Sequence, residues 1–139
     1  MSVKKMGCRF CEIVKNTSSE EIIFENDKFL IFPALKALLP GHILIIPKKH
    51  TEFLFEMGEK DYTELMALAR KISFPLKKAF QSKTVGILLN GLEVPHAHLH
   101  LLPRSKFGEI DDLKSTTLSK AELKETADKI RKAIKDAGL

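Results

Sequence analysis

"VPHAHLHLLPR", residues Val94 to Arg104, is the stretch whose reading decides the fold. It sets His96, His98 and His100 at every second position, with Ala97, Leu99 and Leu101 between and after them. Alternate residues of a strand point to opposite faces, and residues two apart stand about 6.8 Å apart on one face. A strand over "HAHLHLLP" therefore carries three imidazoles on one side and small or apolar groups on the other. Three of the chain's five histidines fall in this run, which is a poor way to build plain surface. Three uses remain open: a histidine-rich sheet edge, a metal site, and nucleophilic catalysis. In the last, a neutral imidazole attacks near pH 7 while a second holds its tautomer and stabilises its charge.

The rest of the chain supplies a sheet for this strand to join. "EIIFEND" and "KFLIFPA" predict two strands about an Asn26-Asp27 turn. "LLPG" ends that unit with turn residues, and "HILIIPKKH" predicts a buried strand stopped by Pro47. "EKDYTELMALARKISFPLKKAF" has apolar groups at Tyr62, Leu65, Ala69, Ile72, Leu76 and Phe80, a helical spacing, with Pro75 expected to kink it. "VGILLNG" predicts a further strand. "LSKAELKETADKIRKAIKDAGL" predicts a terminal helix with a capping box at Ser119 and Glu122 and Gly138 near its stop. The order predicts an α+β fold: a mainly antiparallel sheet of about five strands, one long helix and a C-terminal helix. At 139 residues the chain is expected to be one domain, with 105–139 a C-terminal extension and helix.

Composition excludes several classes. Hydrophobic and charged fractions of 44% and 29% are those of an ordinary globular protein. No apolar run approaches the roughly 18 residues of a membrane span, and "MSVKKMGCRF" does not resemble a signal peptide, so the expected location is cytoplasmic. A net charge of +5 leans weakly toward an anionic ligand. No specific nucleic-acid or membrane partner is expected.

Both cysteines stand in "GCRFC". That spacing reads as metal ligands, a redox dithiol or two small buried hydrophobes. No thioredoxin-like βαβ unit follows, which disfavours the redox use. Two thiolates leave a tetrahedral ion two ligands short. His50, in "PKKH", and His96 would complete a Cys8, Cys11, His50, His96 set. Such a closed site is structural, leaving His98 and His100 for chemistry.

The run "HAHLHLL" matches at every position the His-x-His-x-His-x-x pattern, x being apolar, of the histidine triad (HIT) superfamily, which the chain resembles. "CRFCEIV", "IFENDKFLIF" and "PGHILIIPKKH" are similar to other segments of the family's zinc-bearing branch of nucleotide hydrolases and transferases. The resemblance implies an α+β sheet domain, a homodimer, structural zinc, and a purine nucleotide or nucleotide conjugate as ligand. It implies cleavage at the α-phosphorus of nucleoside 5′-phosphoramidates or related conjugates. His98 would be the nucleophile, His100 would place the phosphate, and His96 would support the nucleophile's ring. Phe10, Phe32 and Leu35 would line the nucleoside pocket, with His42, Asn90 and Glu93 on the phosphate side. Two departures stand out. Ala34 replaces the family's ribose-binding Asp, and the loop "NGLEVPH" is short, with Glu93 where Ser or Thr is usual. These departures motivate a rival, a nucleotide-binding sensor or scaffold with little turnover; the three histidines themselves leave a third reading, a hydrolase using all of them on one open metal site.

Overall fold

A computed structural model describes residues 8–89, 91–110 and 114–139. "CRFCEIV" supplies the N-cap, Cys8, and most of helix α1, Arg9–Lys15. Strands β1 (Phe24–Glu25) and β2 (Phe29–Pro33) flank the Asn26-Asp27 turn, where the Asn26 side chain accepts bonds from the Lys28 and Phe29 N–H groups. Then follow β3 (Lys36–Ala37), β4 (Ile43–Pro47), α2 (Glu59–Phe80), β5 (Thr84–Leu88), β6 (Leu99–Arg104), β7 (Thr116–Thr117) and α3 (Lys120–Asp136). Five strands form one antiparallel sheet in the order β1-β2-β4-β6-β5, and β3 pairs with β7 in a separate ribbon.

The sheet is buried on both faces, so its central strands read as nearly continuous apolar runs. Ile31, Ile43, Ile45, Leu99 and Leu101 face Leu65, Ala69, Ile72 and Leu76 of α2 and Ala127, Ile130 and Ile134 of α3. Leu30, Phe32, Leu44 and Ile46 pack on the other side with Phe10 and Cys11 of α1. The alternation extends through the histidine run. Ala97, Leu99 and Leu101 join the helix-side core, whereas His100 stands opposite Leu44 on the α1 side.

The strand is shorter than expected: β6 begins at Leu99, not at His96. The cause lies in its neighbour. Register pairs Ile45 with Leu99, so Pro47 falls opposite Ala97. Proline has no N–H to give. Its carbonyl is taken by His96 Nε2 at 2.7 Å, and the Ala97 N–H turns to the Thr51 carbonyl at 2.6 Å. The ladder therefore stops three residues short of the expected start and frees His96 and His98 from its hydrogen-bond pattern.

Helix α2 runs unbroken through Pro75 for 22 residues. It begins with Glu59 and Asp61 and ends with Lys77 and Lys78, charges that suit the two ends of its dipole. The capping box of α3 is formed: the Glu122 N–H donates to Ser119 Oγ at 3.1 Å and the Ser119 N–H to Glu122 Oε1 at 2.9 Å. The segment after Arg104 does more than end in a helix. Its β7 strand pairs with β3, and the Leu118 N–H bonds the Leu35 carbonyl at 2.8 Å. The Arg131 guanidinium binds the Glu20 and Ile22 carbonyls, which ties α3 to the segment before β1.

Gly41 sets the entry to β4. Its φ of +84° lies in the left-handed region, and an added Cβ would stand 2.7 Å from the Phe80 ring and 2.8 Å from Pro103. Gly41→Ala is thus expected to destabilise the protein by about 2 kcal/mol or more, combining backbone strain with overpacking. Urea unfolding midpoints of the two proteins check this; equal midpoints would contradict it.

Candidate functional site

Two clusters of imidazoles share the α1 face of the sheet. The first contains Cys8, Cys11, His50 and His96, whose ligand atoms all lie within 4.8 Å of one another. His96 Nδ1 is 3.5 Å from each sulfur, and His50 Nδ1 is 3.1 Å from Cys11 Sγ. A tetrahedral ion with bonds of about 2.3 Å to sulfur and about 2.0 Å to nitrogen separates such atoms by roughly 3.5 Å. The tautomer also fits. Because Nε2 of His96 meets the Pro47 carbonyl, the proton sits there and Nδ1 turns a lone pair to the sulfurs. Burial, the largest influence, holds the His96 pKa below the ordinary value and so favours this neutral ring. All four sequence-predicted ligands come together, and the cluster suits a closed metal site.

The second cluster lies beside it. Phe10 stands under both, its ring 6.0 Å from that of His96 and 5.2 Å from that of His98. The His98 and His100 rings are 5.1 Å apart. Hydrogen bonds fix the direction of each ring. The Leu38 N–H donates to His42 Nδ1 at 3.1 Å, so His42 carries its proton on Nε2. That N–H donates to His100 Nδ1 at 2.8 Å, which places the His100 proton on its own Nε2. Separately, His98 Nδ1 donates to the His96 carbonyl at 2.8 Å and leaves a lone pair on Nε2.

The pKa directions agree with neutral rings. Burial first, then the charge of His100, pushes His42 down to about 3. Burial, with a smaller contribution from His98, pushes His100 down to about 4.

The outcome is a pair of buried nitrogens of opposite character. His98 Nε2 presents a lone pair, and His100 Nε2 presents an N–H that has no hydrogen-bond partner within range among the described residues. Glu93 lies across both, with Oε2 3.5 Å from His98 Nε2 and Oε1 3.6 Å from His100 Nε2. Burial draws the Glu93 carboxyl upward. Its own backbone N–H, the two histidines and the Leu92 N–H together outweigh this and hold it below the usual carboxylate range. The arrangement can attack an electrophile from one ring and donate to an anionic oxygen of the same group from the other.

The remaining sequence-predicted residues divide. Phe10 and Phe32 meet edge to face with centroids 5.5 Å apart. Phe32 also forms the floor of an open cleft between α1 and the segment before β1, with Arg9, Ile13, Asn16 and Ile22 among its walls. Leu35 is half-buried beside the ribbon of β3 and β7, outside the apolar cluster that holds Phe10 and Phe32. Asn90 falls outside the described residues. The cleft walls Arg9, Ile13 and Asn16 were not singled out in the sequence. Their spacing of four and three, one face of a helix, is the signal that finds them.

A HIT domain profile matches residues 15–107, two thirds of the chain. An uncharacterized HIT-like protein of Saccharolobus solfataricus is 32% identical over 132 residues, covering 91% of this chain and 94% of the relative. The asymmetrical bis(5′-nucleosyl)-tetraphosphatase of Schizosaccharomyces pombe is 31% identical over 109 residues, covering 73% of this chain and 59% of that enzyme. Among solved structures, a hypothetical histidine triad nucleotide-binding protein of Sulfolobus tokodaii superposes with a TM-score of 0.79 at 27% identity, covering 93% of both chains. The chain belongs to the HIT domain family, whose members among its relatives include nucleotide hydrolases.

The depressed histidine pKa values set a stability profile. Both folded values lie below the roughly 6.5 of a free imidazole, so the unfolded chain binds more protons between them. Their stabilising contribution is complete above about pH 6.5 and is lost as pH falls toward 3 to 4. Each contributes a slope of up to about 1.4 kcal/mol per pH unit in that window. His42→Gln, whose amide keeps an N–H for His100, should flatten the slope between pH 6 and 5 by about one residue's share. Denaturant unfolding at several pH values checks this, and identical slopes would contradict it.

Proposed function

We propose that this chain is a nucleotide hydrolase or nucleotidyl transferase that acts at the α-phosphorus of nucleoside 5′-phosphoramidates or related conjugates. The observation that carries this is the opposed pair of nitrogens: a bare His98 Nε2 and a His100 Nε2–H that both face the Glu93 carboxylate. His98 Nε2 forms a bond to phosphorus as the bond from phosphorus to the leaving amine breaks. That electron pair stays on the amine nitrogen, which takes a proton from water. His100 Nε2–H donates to a non-bridging phosphoryl oxygen throughout, a contact that strengthens as charge develops there. Water or another acceptor then attacks phosphorus, the bond to His98 breaks, and the acceptor's proton is released. His96 positions the nucleophile through its carbonyl. Phe10 backs the rings, and the cleft floored by Phe32 offers an apolar wall for a purine base.

Cys8, Cys11, His50 and His96 hold a structural zinc in this reading, which ties α1 to the sheet next to the triad. A structural zinc contributes folding free energy directly. The chain works as one domain in the cytoplasm and as a homodimer, with residues 105–139 built onto its core. The free edge of β5, beside the exposed Ile87 and Leu89, supports the dimer. A metal-dependent hydrolase is disfavoured because an Nε2–H on His100 has no lone pair to give an ion. The nucleotide-sensor alternative draws on Ala34 and Glu93, and turnover separates it from the enzyme.

His98→Ala should lose several orders of magnitude in turnover while still binding nucleotide, because the covalent route is deleted and the binding contacts remain. Retention of more than about a tenth of the wild-type rate, about 1.4 kcal/mol of barrier, would overturn the nucleophile. Zinc analysis of protein purified without chelator should find about one equivalent, and His98→Ala should keep it. Loss of metal from that variant would favour the open-metal rival.

Ala34 gives a second expectation. Its methyl is buried and offers no acceptor for ribose hydroxyls. A site with nothing left unpaired rejects a deoxy sugar weakly. The ratio of kcat/KM for ribo- over 2′-deoxyribonucleotide conjugates should lie within about tenfold, or about 1.4 kcal/mol. A preference of a hundredfold or more would mean that another residue pairs the ribose.

A further inference from the structure

The Glu93 carboxylate faces the two Nε2 atoms, and it occupies the position a reacting phosphoryl group needs. Its two oxygens stand 3.5 Å from His98 Nε2 and 3.6 Å from His100 Nε2. The imidazoles are nearly closed off, with side chains 3% and 12% exposed, whereas Glu93 is 41% exposed on the loop at the mouth. Among the described residues the two neutral rings are the groups that face its oxygens, and no lysine or arginine pairs with it. The Leu92 N–H, at 3.2 Å from Oε2, holds the carboxylate on the loop side. Gly91, with a φ of +94°, turns the backbone ahead of it.

A carboxylate so placed must leave the nitrogens when phosphorus arrives. Held to its loop by the Leu92 N–H and 41% exposed, it retreats toward solvent, the side to which the leaving group on phosphorus extends. A further phosphate at that place meets an unneutralised like charge in a partly water-excluded site, where repulsion is stronger than in bulk water. An amine leaving group that bears an ammonium meets an attractive charge. Building in a repulsive element against one partner is how a site gains discrimination beyond its favourable contacts.

We propose that Glu93 is a specificity-determining residue that admits neutral or cationic amine leaving groups and excludes polyphosphate ones. The inference rests on the nucleotidyl-transfer reading above and names the substrate class of that site. In the favoured reaction the P–N bond breaks and the His98 N–P bond forms. In the excluded one a P–O bond to a nucleoside polyphosphate would have to break beside the carboxylate.

The experiment compares kcat/KM for two substrates. One is an adenosine 5′-phosphoramidate of a diamine, which carries a free ammonium group. The other is diadenosine tetraphosphate. The wild type should prefer the phosphoramidate. Glu93→Gln, equal in shape and without charge, should move the ratio at least tenfold toward the tetraphosphate, about 1.4 kcal/mol. Part of that shift should be a rise in the tetraphosphate value itself. Glu93→Asp, which keeps the charge, should retain the wild-type order. A ratio that moves less than tenfold in Glu93→Gln would overturn the proposal. So would a shift produced wholly by loss on the phosphoramidate, or one equally large in Glu93→Asp. If the wild type forms a nucleotidyl-enzyme with neither substrate, the nucleotidyl-transfer reading itself fails, a result distinct from an unchanged ratio in an active enzyme.

Discussion

The bond from His96 Nε2 to the Pro47 carbonyl, 2.7 Å long and buried, ties together what the two clusters do separately. It takes the acceptor that would have continued the ladder between β4 and β6, so the chain before Leu99 leaves strand geometry. It fixes the His96 proton on Nε2 and turns Nδ1 to Cys8 and Cys11. It also holds the residue whose carbonyl accepts the His98 Nδ1–H. One proline carbonyl therefore directs both the putting of lone pairs toward the cysteines and the baring of His98 Nε2. A second relay, from the Leu38 N–H through His42 to His100, gives the neighbouring ring the opposite polarity. Burial keeps every ring of that relay uncharged, without which the directions would be lost.

Much of this was legible in the sequence because it depends on period and spacing. Alternation put Ala97, Leu99 and Leu101 in the helix-side core and left the histidines on the other face. Helical spacing found α2, and Ser119 with Glu122 found the start of α3. The four residues Cys8, Cys11, His50 and His96 were found from ligand arithmetic, and they do converge. What stayed hidden depends on register and on hydrogen-bond direction. No local pattern says that Pro47 will fall opposite Ala97, so the early end of β6 could not be read. The pairing of Thr116 and Thr117 with β3 joins residues some eighty apart and has no apolar period to announce it. The placing of Glu93 over both Nε2 atoms is likewise a property of a loop whose length, and not its composition, brings it there.

The same geometry accounts for the tension between the chain and its relatives. The fold and the triad agree with the family, and a relative hydrolyses a dinucleoside tetraphosphate by its name. In this chain a carboxylate faces the two Nε2 atoms, and a buried alanine stands at position 34. Neither residue makes a hydrogen bond that sets the polarity of the ring nitrogens. Differences confined to the rim of a site change which molecule enters, and leave the chemistry to the groups beneath.

The central claim is that polarity, and imidazole nitrogen NMR tests it most directly. Long-range nitrogen–proton correlation at neutral pH on uniformly labelled protein distinguishes a protonated from a bare ring nitrogen in each histidine. The account predicts protons on Nδ1 of His98 and on Nε2 of His42, His96 and His100, with a bare Nε2 on His98. A proton on His98 Nε2 with a bare Nδ1, or a bare Nε2 on His100, would contradict it.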